Sequence, residues 1–145
     1  MDFLIQNGIV VNAEGCARTD VLVQNGRIAA MGEGLACANA VRINAEGCFL
    51  LPGFIDTHTH FDLDTGSART ADDFVTGGRA AVLGGTTTVL DFATQDRGGT
   101  LVQAFDAWQE KARGCSCNYG FHMAIAEWND KTTAELPEMT RRGVT

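Results

Sequence analysis

The spacing of apolar residues along the chain changes once, directly after Pro52-Gly53, and this change constrains the fold more than any other feature. Before it, short apolar runs alternate with glycine and polar residues, which is typical of β-strands joined by tight turns. After it, β-branched runs alternate with stretches of helical periodicity, which predicts parallel βα units. We therefore expect an all-β portion over residues 1–52 and βα units over residues 53–145.

The all-β portion contains two Asn-Gly pairs between apolar runs, Asn7-Gly8 and Asn25-Gly26. An Asn-Gly pair supplies the two residues of positive φ that a type I′ turn requires, so each copy predicts a β-hairpin. Two further runs, residues 41–43 and 48–51, have the β-branched, aromatic and aliphatic composition of strands. The opening segment is therefore predicted to fold as strands throughout.

Three predicted strands alternate with three predicted helices in the remainder of the chain. The strands are residues 54–58, 86–92 and 119–125. The first two helices are each expected to begin at a threonine N-cap and to end at glycine, from Thr70 to Gly84-Gly85 and from Thr100 to Gly114. Because proline is favoured at the first helical position, the third helix is predicted over residues 137–142. Gly143 ends it, and Val144-Thr145 begin a fourth predicted strand.

Charge and composition exclude several classes of protein. The chain carries 18 acidic and 11 basic residues, a formal net charge of −7, so it lacks the basic surface that binds nucleic acid or an anionic membrane. No apolar run approaches the ~20 residues of a membrane helix, and Asp2 stands where a signal peptide has basic residues. The 5 cysteines form no CxxC pair and favour a reducing compartment, so we expect a cytoplasmic protein.

The clearest chemical signal is the segment PGFIDTHTH, residues 52–60. Residues i and i+2 of a β-strand point to the same face, so His58 and His60 are expected to project together. Two such imidazoles can each bring a nitrogen to ~2.0–2.1 Å from one zinc ion. Asp56 shares their face and can accept a ring N–H as a supporting partner. An isolated H-x-H also occurs at polar strand ends, so the surrounding segment carries much of this interpretation.

Residues 52–60 resemble the first barrel strand of the amidohydrolase superfamily. Further stretches are similar to the dihydropyrimidinase and D-hydantoinase branch, namely residues 70–74, 84–88 with Asp91-Phe92, 108–113 and 118–123. The resemblance implies an α/β protein in which part of a β-sandwich (1–52) precedes the first three βα units of a TIM-like (β/α)8 barrel (53–145), incomplete as given. It also implies a metal-dependent hydrolase that opens cyclic amides.

The resemblance implies two zinc ions in the complete family enzyme, with His58 and His60 as ligands of the more buried ion. A carbamylated lysine that bridges both ions is expected beyond Thr145, together with the remaining ligands and the catalytic aspartate. No catalytic residue is therefore expected within this chain, which we expect to be inactive by itself.

The family resemblance also assigns a role to the loop after the first predicted strand. Phe61, Leu63 and Thr65 lie where the family shapes its substrate pocket. Many hydantoinases have a P-F-G-G-like stretch at this point, whereas residues 63–67 of this chain read LDTGS. The departure concerns the identity of the ring and leaves the reaction class unchanged.

Three other polar residues are expected to have minor roles. His122 lies on the third predicted strand, where the family has a histidine that is not a ligand, and we expect it to be structural. Asp91 lies near the end of the second predicted strand, and Asp96 lies beyond it. Both could line the entrance of the site, but we expect them to be solvated charges in a loop.

Two other functions remain open from the sequence. One keeps the chemistry and changes the ring, as in an allantoinase or a dihydroorotase. The other is a non-catalytic truncated paralogue, which the missing downstream ligands favour and the intact H-x-H disfavours. For the enzyme, the expected partner is a small-molecule cyclic amide, with no nucleic-acid or membrane partner, and the family implies a homo-oligomer (a tetramer) at full length.

Overall fold

Strands alone build the first unit of the protein, and alternating strands and helices build the second. In the computed structural model, which describes residues 1–144, the units are Met1–Pro52 and Gly53–Thr145. The all-β opening followed by βα units confirms the predicted α/β fold class. None of the helices in the described part of the chain is both long and apolar enough to cross a membrane.

The strands of the first unit form two sheets. One is four-stranded with the order β5-β4-β1-β6, and the other is three-stranded with the order β3-β2-β7. The strands are β1 (Phe3–Gln6), β2 (Ile9–Asn12), β3 (Gly15–Arg18), β4 (Asp20–Gln24), β5 (Arg27–Gly32), β6 (Val41–Asn44) and β7 (Phe49–Leu50). Leu4 and Val21, both buried, come from neighbouring strands of the four-stranded sheet.

One of the two predicted hairpins forms. Asn25 and Gly26 have φ of 52° and 73°, and they join β4 to β5 as an antiparallel pair. The hairpin prediction at Asn7-Gly8 is wrong, because β1 pairs with β4 and β6 whereas β2 pairs with β3 and β7. The chain crosses from one sheet to the other at this point. Gly8 serves close packing, since a β-carbon on it would lie 3.1 Å from the Cβ of Ala45.

The second unit is a parallel sheet with helices between its strands. Its elements are β8 (Phe54–Thr59), α1 (Phe74–Leu83), β9 (Thr86–Thr94), α2 (Leu101–Lys111), β10 (Asn118–Ala124) and α3 (Asp130–Arg141). β9 lies in the centre and pairs in parallel with both β8 and β10. The prediction of parallel βα units is therefore confirmed.

The core of the second unit is rich in aromatic side chains. The apolar face of α2 packs into this core, in which Phe105 and Phe121 meet edge to face. The buried members of the cluster are Phe74, Ala93, Leu101, Phe105, Trp108, Ala112, Phe121, Met139 and Val144. Helix α2 begins at its predicted N-cap, Thr100, whose hydroxyl accepts the Gln103 N–H at 3.1 Å.

Helix α1 begins later than predicted, at an aspartate in place of Thr70. The Oδ1 of Asp73 accepts the N–H groups of Val75 and Thr76, and the Thr76 hydroxyl accepts the Asp73 N–H. The backbone hydrogen bond from Thr76 is the largest of the contacts that lower the pKa of Asp73. Thr70 instead accepts the Leu63 N–H at 2.9 Å and closes the preceding loop. The helix ends at Gly84, as predicted.

Helix α3 is longer than predicted and contains Pro137 in its interior. It begins after Asn129, whose Oδ1 accepts the N–H groups of Lys131 and Thr132. Proline removes one helical hydrogen bond, but the cap at Asn129 and the burial of Thr132 stabilise the turns that precede it. Val144 is buried in the core without strand pairing, and Thr145 lies outside the described residues, so the fourth strand stays a prediction.

Candidate metal centre

The two predicted metal ligands lie at the carboxyl end of β8, where the strand bulges. Asp56 lies opposite Val89 and Thr59 lies opposite Asp91, so two residues of β8 oppose one residue of β9 between these pairs. Bulges occur next to active sites because they re-aim side chains. The bulge contains Thr57 and His58, and His60 follows directly after the last residue of β8.

The imidazoles of His58 and His60 converge. Their Nε2 atoms lie 3.2 Å apart, and the rings meet edge to face at 82° with centroids 5.0 Å apart. Two nitrogens bound to one tetrahedral zinc ion at ~2.05 Å each are separated by about 3.3 Å. The observed separation therefore fits a shared ion, and it also suits an N–H···N hydrogen bond between the rings when no ion is bound.

The pair supplies two nitrogens, which is half the number of ligands of a tetrahedral zinc site. Among residues 1–144, no group of three or more histidine, cysteine, aspartate or glutamate side chains is arranged to hold a metal ion. Tetrahedral zinc needs four ligands, so His58 and His60 require partners that residues 1–144 do not supply.

Phe92 on β9 lies beneath all three histidines of the chain. Its ring centroid is 4.5 Å from that of His58, 5.1 Å from that of His60 and 4.9 Å from that of His122. An apolar ring at this position excludes water from one side of the pair and offers no competing ligand. Phe92 belongs to the residues that resemble the hydantoinase branch, but no role was expected for it, although its position next to Asp91 in a predicted strand was a usable signal.

Side chains replace the sheet hydrogen bonds that β8 loses at its bulge. The N–H of His58 donates to Oδ1 of Asp56 at 3.1 Å, and Nε2 of His122 lies 3.2 Å from the carbonyl oxygen of Thr57. Because a carbonyl oxygen only accepts, His122 donates through its Nε2–H. Asp56 thus contacts His58 through the backbone, and its expected contact with an imidazole N–H stays a prediction.

Asp91 is buried, so its interpretation as a solvated loop charge is wrong. Its side chain is 1% exposed and accepts four hydrogen bonds. Oδ2 accepts the Phe61 N–H at 2.7 Å and the Thr59 hydroxyl at 3.1 Å. Oδ1 accepts the Phe92 N–H at 2.7 Å and the Trp108 indole N–H at 3.0 Å. A charged residue within the β-branched run of residues 86–92 was the signal, since a buried charge needs such partners.

The predicted pocket residues differ in what they contact. Phe61 and Leu63 are half-buried and pack against the aromatic core, where the Phe61 ring lies 5.5 Å from that of Phe74. Thr65 is exposed, and its hydroxyl donates to the carbonyl oxygen of Ala68 at 2.9 Å. Their roles toward a substrate stay predictions. Asp96 is exposed, in line with the expected solvated charge.

Comparison with known proteins relates this site to a family. Residues 49–143 match the sequence profile of the Amidohydrolase family. The D-hydantoinase of Geobacillus stearothermophilus is 43% identical over 140 residues, which are 96% of this chain and 30% of that protein. The dihydropyrimidinase of Dictyostelium discoideum is 40% identical over 144 residues, 97% of this chain and 29% of its own length.

Solved structures give the same result. A crystal structure of a D-hydantoinase superposes with a TM-score of 0.95 at 40% identity and covers 100% of this chain and 32% of its own. The dihydropyrimidinase from Brevibacillus agri NCHU1002 superposes with a TM-score of 0.95 at 41% identity, with the same coverage of 100% and 32%. The chain thus has the fold of the corresponding part of these proteins and spans about 30% of the length of its relatives.

Proposed function

The chain belongs to the amidohydrolase family, and from this premise we propose that it is the N-terminal part of a zinc-dependent hydrolase of cyclic amides. The proposed reaction is ring opening of the dihydropyrimidinase or hydantoinase type. Relatives named for these activities match nearly the whole chain, which favours this branch over allantoinases and dihydroorotases.

The observation that carries the proposal is the 3.2 Å separation of the Nε2 atoms of His58 and His60 at the end of β8. In parallel βα barrels, active sites lie at the carboxyl ends of the strands. We propose that these two nitrogens hold one of two zinc ions. When bound, zinc supplies Lewis-acid polarisation of an amide carbonyl and a lowered pKa of water.

The residues of this chain hold and orient the centre. His58 and His60 supply neutral ring nitrogens, Phe92 excludes water beneath them, and Asp56 stabilises the bulged backbone that turns His58. Proton transfer and the further metal ligands would come from residues expected beyond Thr145, among them a carbamylated lysine. The 145-residue polypeptide is therefore expected to be inactive without them.

The family resemblance and the cysteines also support a proposal for the setting of the enzyme. We expect a cyclic amide as the small-molecule partner and a homo-oligomer at full length. The 5 cysteines are free, which suits a cytoplasmic location.

The test uses the protein as its gene encodes it, purified without added metal. Bound metal is counted by elemental analysis, and hydrolysis is assayed with dihydrouracil, hydantoin, allantoin and dihydroorotate. We expect about two zinc ions per chain and ring opening of dihydrouracil or hydantoin. A protein that retains no zinc and opens none of the four rings would be the non-catalytic paralogue, and the proposal would fail.

A further inference from the structure

We propose that Asp91 is a positioning residue that fixes His60 by binding the Thr59 side chain before it and the Phe61 backbone after it. The inference rests on the proposed function, because it concerns the same histidine pair. His60 is exposed and follows the last residue of β8, so sheet pairing alone does not fix its direction. Its two neighbours in the chain are both bound to one oxygen of a buried carboxylate.

That oxygen is Oδ2 of Asp91. It accepts the Thr59 hydroxyl at 3.1 Å and the Phe61 N–H at 2.7 Å, so the residues before and after His60 are tied to the same atom. Thr59 is itself buried, and its hydroxyl also lies 3.2 Å from the carbonyl oxygen of Leu90. With both neighbours fixed, the His60 Cα has little freedom to move its ring away from His58.

The second oxygen keeps the carboxylate from rotating. Oδ1 accepts the indole N–H of Trp108 from α2 at 3.0 Å and the N–H of Phe92 at 2.7 Å. One turn along the same helix, Lys111 lies over the Trp108 ring at 4.1 Å and donates to the carbonyl oxygen of Asp62 at 2.8 Å. Helix α2 thus contacts the turn after β8 directly through Lys111 and, through Trp108, holds the carboxylate that binds Phe61.

The identity of the residue matters as well as its burial. An apolar side chain would be buried at lower cost, but it would leave the Phe61 N–H and the Trp108 indole N–H without partners. Asparagine has one acceptor oxygen, so it can serve one pair of donors and turns its NH2 group toward the other pair. We therefore expect Asp91→Asn to release one side of His60 or to displace Trp108.

The first unit contains a matched control. Asp20 is also buried, and it accepts the backbone N–H groups of Asn7 and Leu35, each at 3.2 Å. The residues it holds carry no imidazole. Asp20→Asn therefore removes the same kind of contact without touching the proposed metal centre.

The experiment compares Asp91→Asn, Thr59→Val and Asp20→Asn in the protein as its gene encodes it. Zinc affinity is measured by competition with a chelating dye, the ligand field by the visible spectrum of the Co(II)-substituted protein, and stability by thermal unfolding. We expect Asp91→Asn to lower zinc affinity by about 10- to 100-fold and to alter the Co(II) spectrum. Thr59→Val should give a smaller loss in the same direction, and Asp20→Asn should lower the melting temperature alone.

Equal zinc affinities in Asp91→Asn and the unmodified protein would overturn the inference, and so would equal losses in Asp91→Asn and Asp20→Asn. If Asp91→Asn does not fold, Thr59→Val decides, since an unchanged affinity in that variant removes the link between the carboxylate and His60. Failure of the proposed function would give a different result from failure of the positioning role. The unmodified protein would then bind no zinc, or the His58→Ala variant would bind zinc as tightly as the unmodified protein. That result would overturn the positioning role as well.

Discussion

Each unit of the protein contains a buried aspartate that binds the backbone next to the end of a strand, and the two aspartates have different roles. Asp20 holds the crossing between two sheets at Asn7, whereas Asp91 holds the turn that follows β8 at Phe61. A buried carboxylate is thus a general way to satisfy backbone N–H groups that a sheet leaves unpaired. The two aspartates differ in the residues beside them, because the residues that Asp91 binds flank His60, a proposed metal ligand.

The units also differ in how they pack. Each unit leaves large apolar side chains exposed, such as Phe49 at 66% in the first and Trp128 at 64% in the second, but the second unit also packs four aromatic side chains into one buried cluster, namely Phe74, Phe105, Trp108 and Phe121. We infer that the second unit is the better-packed frame, as a centre with fixed ligand geometry requires. The following predictions test this comparison.

The largest expected effect is the loss of metal from the second unit. His58→Ala and His60→Ala should each lower zinc affinity by at least about 100-fold, because each removes a ligand of the same ion. His122→Ala should cause a smaller loss, since His122 donates to the Thr57 carbonyl oxygen and contacts neither Nε2 atom of the pair. Equilibrium dialysis against zinc measures all three, and equal losses would indicate scattered surface sites.

The next effect compares the two cores. Phe74 and Leu4 are both 0% exposed, and Phe74 lies edge to face against Phe61 and Phe121. We expect Phe74→Ala to lower the free energy of unfolding by ~3–5 kcal/mol and Leu4→Ala by ~2–3 kcal/mol. Urea unfolding followed by circular dichroism measures both, and a larger loss for Leu4→Ala would reverse the order of packing.

A smaller effect concerns acid. The N–H of Asn7 is the largest cause that lowers the pKa of Asp20 below its usual value. A lowered folded-state pKa contributes stability that is present above the unfolded value and is lost as pH falls through the folded one. Asp20→Asn should therefore flatten the fall of the melting temperature below about pH 4. Parallel curves for the variant and the unmodified protein would contradict this.

The smallest effect concerns the helix that carries Trp108. Thr100→Ala removes the N-cap of α2, and with it the hydrogen bond from the Gln103 N–H. We expect a loss of ~1 kcal/mol in the free energy of unfolding. Thr100→Ser keeps the hydroxyl and serves as the control, and a loss of the same size in that variant would exclude the cap as the cause.

Sequence patterns predicted those parts of the fold that local chemistry determines. Thr100 caps α2 through its own hydroxyl, and Asn25-Gly26 turns the chain through its own backbone preference. The prediction at Asn7-Gly8 is wrong because strands distant in sequence decide the pairing there, and the prediction at Pro137 is wrong because an earlier residue caps the helix. Asn7 lies at a crossing between sheets, and Pro137 lies in a helix that begins at a capping residue eight positions earlier, at Asn129.

The site shows the same division. Alternation along a strand predicts that His58 and His60 share a face, but the observed strand bulges between Asp56 and Thr59, and the pair converges through that bulge. No local pattern indicates that Asp91 binds the residues around His60, because those contacts join positions about thirty residues apart. The juxtaposition of the two histidines was accessible to sequence reasoning, whereas the contacts that support them join residues distant in sequence.

The proposed metal centre requires that the bulge of β8 turns His58 and His60 onto one metal ion and leaves His122 as a hydrogen-bond donor. The direct measurement is the ¹⁵N NMR spectrum of the histidine side chains in the protein as its gene encodes it, with zinc bound. We expect Nε2 of His58 and of His60 to carry the shift of metal-bound nitrogen, and Nε2 of His122 to remain protonated. A metal-bound shift at His122, or at one member of the pair alone, would contradict the account.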